Sequence, residues 1–442
     1  MNIYKYLAFF ILFVLYAFSS AQILDAQHDI TIFQGNKISK IIILGNDKTH
    51  DVVLLREMKT KVGGFFDVEL IEEDRKRIQN LLLFTRVEIF PAKDDDKVGL
   101  IIVVAERWHF FPYPLLFRNE RSWDLEKWSY GAGVIHNNMR GLNNKLLAEL
   151  WFGYNPGGTA SYTNPWFGGD KQLYYKATLY SMTIKSKTLQ VPERFDEFHR
   201  GFAFTFGKRW GYHTYSTAAV GYDYIQYPSE YQYLLASGGD DQHVPSLGIG
   251  FQYDTRDLHE YPRDGWWMSF GLTDYFYPKQ LDYLLFGVDV RRYVRLYKDL
   301  SLALRVNVDL SYGDTPVFSH FYLGYSERIR GQFYTAMEGD ARSIFMAELR
   351  FPILPVQYID VGYGAPMFGQ YAQDLPFGIS GGLFYDIGTV WFKNLTNMPQ
   401  DFLSGFGLGL HFHVPYIDVF RIEYGFDPDL NGQFIIDTRV AF

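Results

Sequence analysis

The sequence predicts an all-β, sixteen-stranded antiparallel barrel that spans a membrane, with one small α/β domain ahead of it. Three observations carry this expectation. From about residue 109 onward, apolar and polar side chains alternate with a period of two, segment after segment. Aromatic residues make up 19% of the chain, with 34 Tyr and 39 Phe beside 40 Gly, a mix that suits half-exposed strands, aromatic belts and tight turns. Beyond the first two dozen residues no run approaches a membrane helix, and a chain that crosses lipid on strands must close its sheet so that every backbone group is paired. At 442 residues there is room for one large barrel and a small domain.

In chain order, the first 21 residues read as a secretory signal. Lys5 supplies the positive start, residues 7–18 the apolar stretch, and Ser19-Ser20-Ala21 small residues before a cleavage point at Gln22. The apolar run is short of the roughly 20 residues a spanning helix needs. A short segment, 22–37, leads into the first domain. The chain has no cysteine, so neither a lipid on an N-terminal Cys nor a disulfide is available. Net charge is −8 with no basic block, which disfavours nucleic acid as a partner.

Residues 38–107 form a compact unit with the order β-α-α-β-β. Ile41-Ile42-Ile43-Leu44 is a short strand stopped by Gly45-Asn46, and Thr49 is the expected N-cap of a helix through Met58. A second helix is expected over 69–82, with Leu70, Ile71, Ile78, Leu81 and Leu82 at helical spacing. Strands over 85–90 and 98–104 follow, joined by a turn at Asp94-Asp95-Asp96. The segments Ile43-Leu44-Gly45-Asn46, Lys61-Val62-Gly63 and Phe84-Thr85-Arg86-Val87, with the closing Val104-Ala105-Glu106, resemble a POTRA (polypeptide-transport-associated) domain. The resemblance implies a periplasmic module that handles client polypeptides, with an exposed edge strand near Arg86, Val87, Glu88, Ile89 and Phe90. An edge strand offers unpaired N–H and C=O groups to an extended client; equally, such a domain can prop the barrel or dock a partner protein.

The barrel occupies 109–442. Expected strands are 109–119, 127–137, 143–154, 157–164, 171–184, 198–208, 213–226, 243–255, 264–277, 281–296, 299–312, 341–350, 376–389, 403–413, 416–427 and 432–442. Residues 301–312 show the pattern most plainly: Leu302, Leu304, Val306, Val308 and Leu310 face one way, Arg305, Asn307 and Asp309 the other. In the last strand Phe434, Ile436, Val440 and Phe442 are expected on one face, opposite Gln433, Asp437 and Arg439. The gaps 185–197, 227–242 and 313–340 are long and polar and fall on one side; 209–212 and 297–298 are short and fall on the other. Long loops belong outside the cell and short turns in the periplasm. The gap 351–375 breaks this rule, leaving an extra strand pair or an interfacial segment as its reading.

Reactive chemistry is thinly represented. Gly378-Ile379-Ser380-Gly381-Gly382 matches G-x-S-x-G, but that elbow needs a strand-to-helix turn and Leu383-Phe384-Tyr385 continues a strand. His411 and His413 share a strand face without a visible third ligand. There is no P-loop and no HExxH. The expectation is a protein that is not an enzyme and uses no cofactor.

Thr163-Asn164-Pro165-Trp166, Ala347-Glu348-Leu349-Arg350-Phe351-Pro352 and Phe384-Tyr385-Asp386-Ile387-Gly388 resemble segments of the BamA/TamA-like outer-membrane insertase and translocase superfamily. Ile329-Arg330-Gly331 resembles the core of its loop motif, Val/Ile-Arg-Gly-Phe/Tyr, and falls in the sixth external loop. Here Gln332 separates Gly331 from the aromatic Phe333, and the sequence holds one POTRA-like domain rather than several. The resemblance implies that loop six folds into the lumen and that Arg330 pairs with Glu348 and Asp386. A planar guanidinium suits such a site because it bonds carboxylates two at a time and stays charged. The final Phe442 fits the sorting signature of outer-membrane proteins. Implied partners are client polypeptides (outer-membrane or secreted proteins), outer-membrane lipid, and periplasmic or accessory assembly proteins. The expected activity is insertion of barrels or transport of polypeptides; a transporter for one partner and a passive porin are the alternatives.

Pro112 and Pro114 add a feature of their own. Neither has an N–H, and in one strand both missing donors face the same neighbour. If that neighbour is the last strand, with Phe442, the barrel has a weak seam; otherwise the prolines lie below the sheet in the linker.

Overall fold

The computed structural model describes residues 30–119, 124–332, 335–360, 369, 373–393, 399, 401–415, 417–438 and 440–442. The signal segment, Phe333, Val361 and Arg439 lie outside them. The chain divides into two compact units.

The first unit holds residues up to Arg107, with Ile353–Ile379 and Phe412–Asp418. Its elements are β1 (Ile38–Leu44), α1 (Asp51–Leu55), α2 (Val68–Gln79), β2 (Phe84–Asp94) and β3 (Lys97–Glu106). β3 is central, parallel to β1 and antiparallel to β2, which leaves β2 at an outer edge. The helices cover one face because Val53, Leu54, Met58 and Ile78 bury against Val87 and Ile102. Asp67 caps α2 by accepting from the Leu70 N–H at 2.9 Å. The first helix is shorter than expected, and Thr49 is not its cap: His50 holds that position, while the Thr49 hydroxyl donates to Glu106. The acidic triplet turns the β2–β3 hairpin, with Asp95 in the left-handed region at φ +54°.

The second unit carries the barrel. Its sheet has sixteen antiparallel strands: β4 (Phe110–Arg118), β5 (Trp128–Met139), β6 (Asn144–Gly153), β7 (Gly157–Phe167), β8 (Leu173–Lys185), β9 (Asp196–Trp210), β10 (Thr214–Gln226), β11 (Asp241–Asp254), β12 (Gly265–Tyr277), β13 (Leu281–Tyr297), β14 (Leu300–Gly313), β17 (Ala341–Ile359), β18 (Leu375–Trp391), β19 (Leu403–Val414), β20 (Ile417–Phe426) and β21 (Gly432–Thr438). A hairpin of β15 (Phe321–Leu323) and β16 (Met337–Gly339) stands apart inside the loop between β14 and β17. Apolar residues such as Leu247, Ile249 and Phe251 of β11 are exposed on the outer face, and such a band is what a bilayer requires. Charged residues such as Arg305 and Glu423 turn inward and are buried.

Two strand ends differ from expectation. β17 runs nine residues past 350, so the long periplasmic gap shrinks to 360–374. Its ladder with β14 stops at Ser301↔Arg350; beyond it the strand has lost one neighbour, the setting in which Pro352 and Pro355 are tolerated. The last strand stops at Thr438, where pairing with β20 ends. Phe442 is therefore not on the outer face with Phe434 and Ile436. Those two are 75% and 66% exposed, whereas Phe442 is 2% exposed and sits among interior residues. Alternation dictates facing only while the ladder continues.

Candidate functional site

The site is built where loop six, between β14 and β17, enters the barrel. Gly331 makes the entry possible. It adopts φ +93°, and a Cβ there would collide with the Phe426 carbonyl oxygen of β20. The wall is shaved to match, since a Cβ at Gly405 of β19 would strike the Arg330 carbonyl. Backbone thus lies on backbone, and the loop reaches a depth that side chains would deny it.

That depth delivers Arg330 to three carboxylates. Its Nε and Nη2 bond the two oxygens of Asp386 at 2.7 and 2.8 Å, and its own backbone N–H donates to the same group at 3.2 Å. Nη1 donates to Glu348 at 2.6 Å and to Glu423 at 2.9 Å. The guanidinium lies 3.8 Å from the centroid of the Phe384 ring. Glu348, Asp386 and Glu423 come from β17, β18 and β20, each at an inward position of its strand. Two more guanidiniums complete the group: Arg350 bonds Glu348 at 2.6 Å and Arg421 approaches Glu423 at 2.7 Å. Three cations therefore meet three anions, an arrangement that lowers the cost of burying them.

The structure thus brings Arg330 together with Glu348 and Asp386. Sequence reasoning missed Glu423, although Arg421 and Glu423 lie two apart in a membrane strand, a spacing that puts both in the lumen. Ile329 is buried beside this group, and the Gln332 amide donates to the Ser404 carbonyl at 3.0 Å.

His411 lies near the network without the makings of a metal site. Its ring and the carboxylates of Glu348 and Glu423 have ligand atoms within 4.8 Å of one another, but both carboxylates already pair with guanidiniums. A dication would meet three positive charges. Among the described residues His413 belongs to no such group. Ser380 lies in the middle of β18, so the strand-to-helix elbow is not formed.

The seam lies at the ends of the sheet. β4 and β21 are its terminal strands, and among the described residues no ladder joins them. Pro112 and Pro114 are in β4 itself, opposite Val134 and Ala132 of β5, rather than in a linker below it. The Asn137 N–H bonds the His109 carbonyl and the Asn119 N–H bonds the Lys127 carbonyl, so odd positions of β4 face β5. The nitrogens of Pro112 and Pro114 accordingly face the open edge, where each is a missing donor.

At the outer strand of the first unit, Val87 and Ile89 pack toward the helices, while Phe90 is exposed on the other face. Arg86 bonds Glu88 and, at 2.7 Å, Asp374, and stacks 5.2 Å from the Tyr358 ring centroid. Burial alone would lower its pKa, but the hydrogen bonds and charges of Asp374 and Glu88 raise it overall.

Comparison with known proteins gives a consistent picture. Residues 138–436 match the Omp85 superfamily domain, and residues 36–107 match POTRA, described as a surface antigen variable number repeat. The outer membrane protein assembly factor BamA of Nitratidesulfovibrio vulgaris is 23% identical over 435 residues. That alignment takes in 92% of this chain but 50% of BamA, so the chain spans half the length of that relative. Among solved structures, BamA from Haemophilus ducreyi lacking POTRA domains 1–3 aligns with a TM-score of 0.53 at 17% identity, covering 91% of this chain and 83% of that one. CdiB from Escherichia coli aligns with a TM-score of 0.58 at 11% identity, covering 92% and 75%. At these identities the structural likeness shows the fold.

Proposed function

The chain belongs to the Omp85 superfamily, as an outer-membrane barrel with a POTRA domain in the periplasm, and on that premise we propose that it assists the insertion of outer-membrane proteins or the passage of polypeptides to the surface. The observation that carries this reading is that, among the described residues, no ladder joins β4 and β21, the terminal strands of the barrel sheet. A barrel that only conducts solutes has no use for an open edge in lipid, where each free N–H or C=O is costly. An edge that offers such groups to another strand turns that cost into an affinity.

In this mechanism a client strand emerging from the periplasm first adds to β2 of the POTRA domain, at Arg86, Val87, Glu88, Ile89 and Phe90. It then pairs at the seam beside Pro112 and Pro114 and leaves sideways into outer-membrane lipid. Arg330, clamped by Glu348 and Asp386, holds loop six, with Ile329 and Gly331, as the internal latch. No step makes or breaks a covalent bond, and no cofactor takes part. Accessory periplasmic proteins are expected to deliver clients.

A transporter for one secreted partner is the competing reading, favoured by the likeness to CdiB as well as BamA. Depletion of the protein, followed by quantitative comparison of outer-membrane and secreted proteomes, separates the two. Broad loss of barrels means assembly; loss of one secreted species means a dedicated transporter. An unchanged proteome in both fractions overturns the proposal.

A further inference from the structure

Residues 440–442 lie outside the sheet, and Phe442 joins an apolar cluster with Ile329 of loop six, Leu323, Tyr293 and Met346. Arg350 of β17 closes this cluster from the wall. It is 1% exposed, and its guanidinium carbon lies 5.0 Å from the ring centroid of Tyr261, 5.6 Å from that of Phe442 and 5.7 Å from that of Tyr293. Its Nη1 donates to the Pro262 carbonyl at 3.2 Å. Its Nε donates to one oxygen of Glu348 at 2.6 Å, and the other oxygen of Glu348 accepts from Arg330, also at 2.6 Å. One carboxylate thus joins the guanidinium that seats loop six to the guanidinium that carries the Phe442 ring. Arginine is the side chain able to do both, because its edge bonds a carboxylate while its face lies against aromatic rings. A second strut lies alongside: Arg328 of loop six bonds Asp437 of β21 at 2.6 Å.

We propose that Arg350 is a positioning residue that couples the latch to the segment after the last strand. While Arg330 is seated, Glu348 holds Arg350 against Phe442, residues 440–442 stay inside the barrel, and β21 cannot lengthen its edge past Thr438. Release of the latch lets Glu348 turn, frees Arg350 from the Phe442 ring and allows the segment to leave the lumen. The inference rests on the seam reading above, since the length of β21 matters only if that edge receives strands.

The test uses the absence of cysteine from the chain. Ala441→Cys, packed against the cluster, introduces the sole thiol. Its rate of labelling by a charged, membrane-impermeant maleimide is read on the full chain in lipid nanodiscs. Arg350→Lys keeps the charge and loses the planar face; Arg330→Lys alters the latch without removing a side chain that stacks on Phe442. Both are expected to raise the labelling rate at least tenfold while circular dichroism shows an intact barrel. Arg75→Gln, which breaks a guanidinium pair with Glu72 within α2 of the first unit, is expected to leave the rate unchanged. Should Arg350→Lys fail to fold, Tyr261→Leu removes one of its rings and spares every charge, with the same release expected. A folded Arg330→Lys or Arg350→Lys protein labelled at the parental rate overturns the coupling. Faster labelling with normal client assembly supports the coupling and counts instead against the proposed function.

Discussion

Arg330 makes five hydrogen bonds to three carboxylates in a setting closed to water. The gain from such a network over an apolar core is small, but breaking it is costly because charges are left buried without a partner. Arg330→Ala is expected to cost about 3–5 kcal/mol, read as a lowered urea midpoint of the reconstituted barrel. Arg330→Lys should fall between, since an ammonium cannot engage Asp386 with two parallel bonds. Arg330, Glu348 and Asp386 were legible in the sequence because each lies in a recognisable segment. Glu423 was not, because its segment carries no such motif and its partner is 93 positions away. Phe442 was misplaced for another reason: alternation cannot say where a ladder ends, and burial of an aromatic ring outweighed the continuation of the strand.

Among the elements, the β15–β16 hairpin was invisible in a gap that read only as long and polar. What fixes it is Glu338, which accepts from the Thr188 hydroxyl at 2.9 Å, the Leu189 N–H at 2.6 Å and His320 Nδ1 at 2.7 Å. Burial pushes the Glu338 carboxyl up, but His320, the Leu189 N–H and the Thr188 hydroxyl together hold it below its ordinary value. A carboxyl held low in the folded state stabilises at pH above the unfolded glutamate range, and that contribution is lost as pH falls through the folded value. Hydrogen exchange in 321–323, 337–339 and 186–189, corrected for its intrinsic pH dependence, should accelerate as the medium is acidified past the glutamate range. Glu338→Gln should abolish that acid step. The sixteen barrel strands, by contrast, were legible almost throughout, because a membrane barrel imposes period two on every strand and turn residues on every reversal. Only β17 ran on well past its expected end, where loss of one neighbour made proline harmless.

For the whole molecule the decisive feature is that, among the described residues, no ladder joins the two terminal strands of the barrel sheet. If the seam is where clients leave, covalent closure should stop the protein without unfolding it. With no native cysteine, Leu116→Cys on β4 and Phe434→Cys on β21 can be bridged by a cleavable bis-maleimide. Both residues are exposed on the outer surface. Client assembly is expected to halt on bridging and resume on cleavage, and unchanged assembly with the bridge in place would rule the seam out as the exit. The POTRA domain at residues 36–107 contributes at the same scale. Its outer strand β2 is the edge proposed for a client to add to.

The balanced lumen network has a consequence for the permeability barrier. Arg330, Arg350 and Arg421 offset Glu348, Asp386 and Glu423 charge for charge, so an ion entering past loop six meets little net field of either sign. Omitting the Arg330 charge leaves one carboxylate in excess and removes what seats the loop. The Arg330→Gln barrel should leak, and its leak should prefer cations, measured as a reversal potential across a planar bilayer held between unequal salt solutions. A cell that carries this barrel would then depend on Arg330 to keep its own envelope electrically sealed.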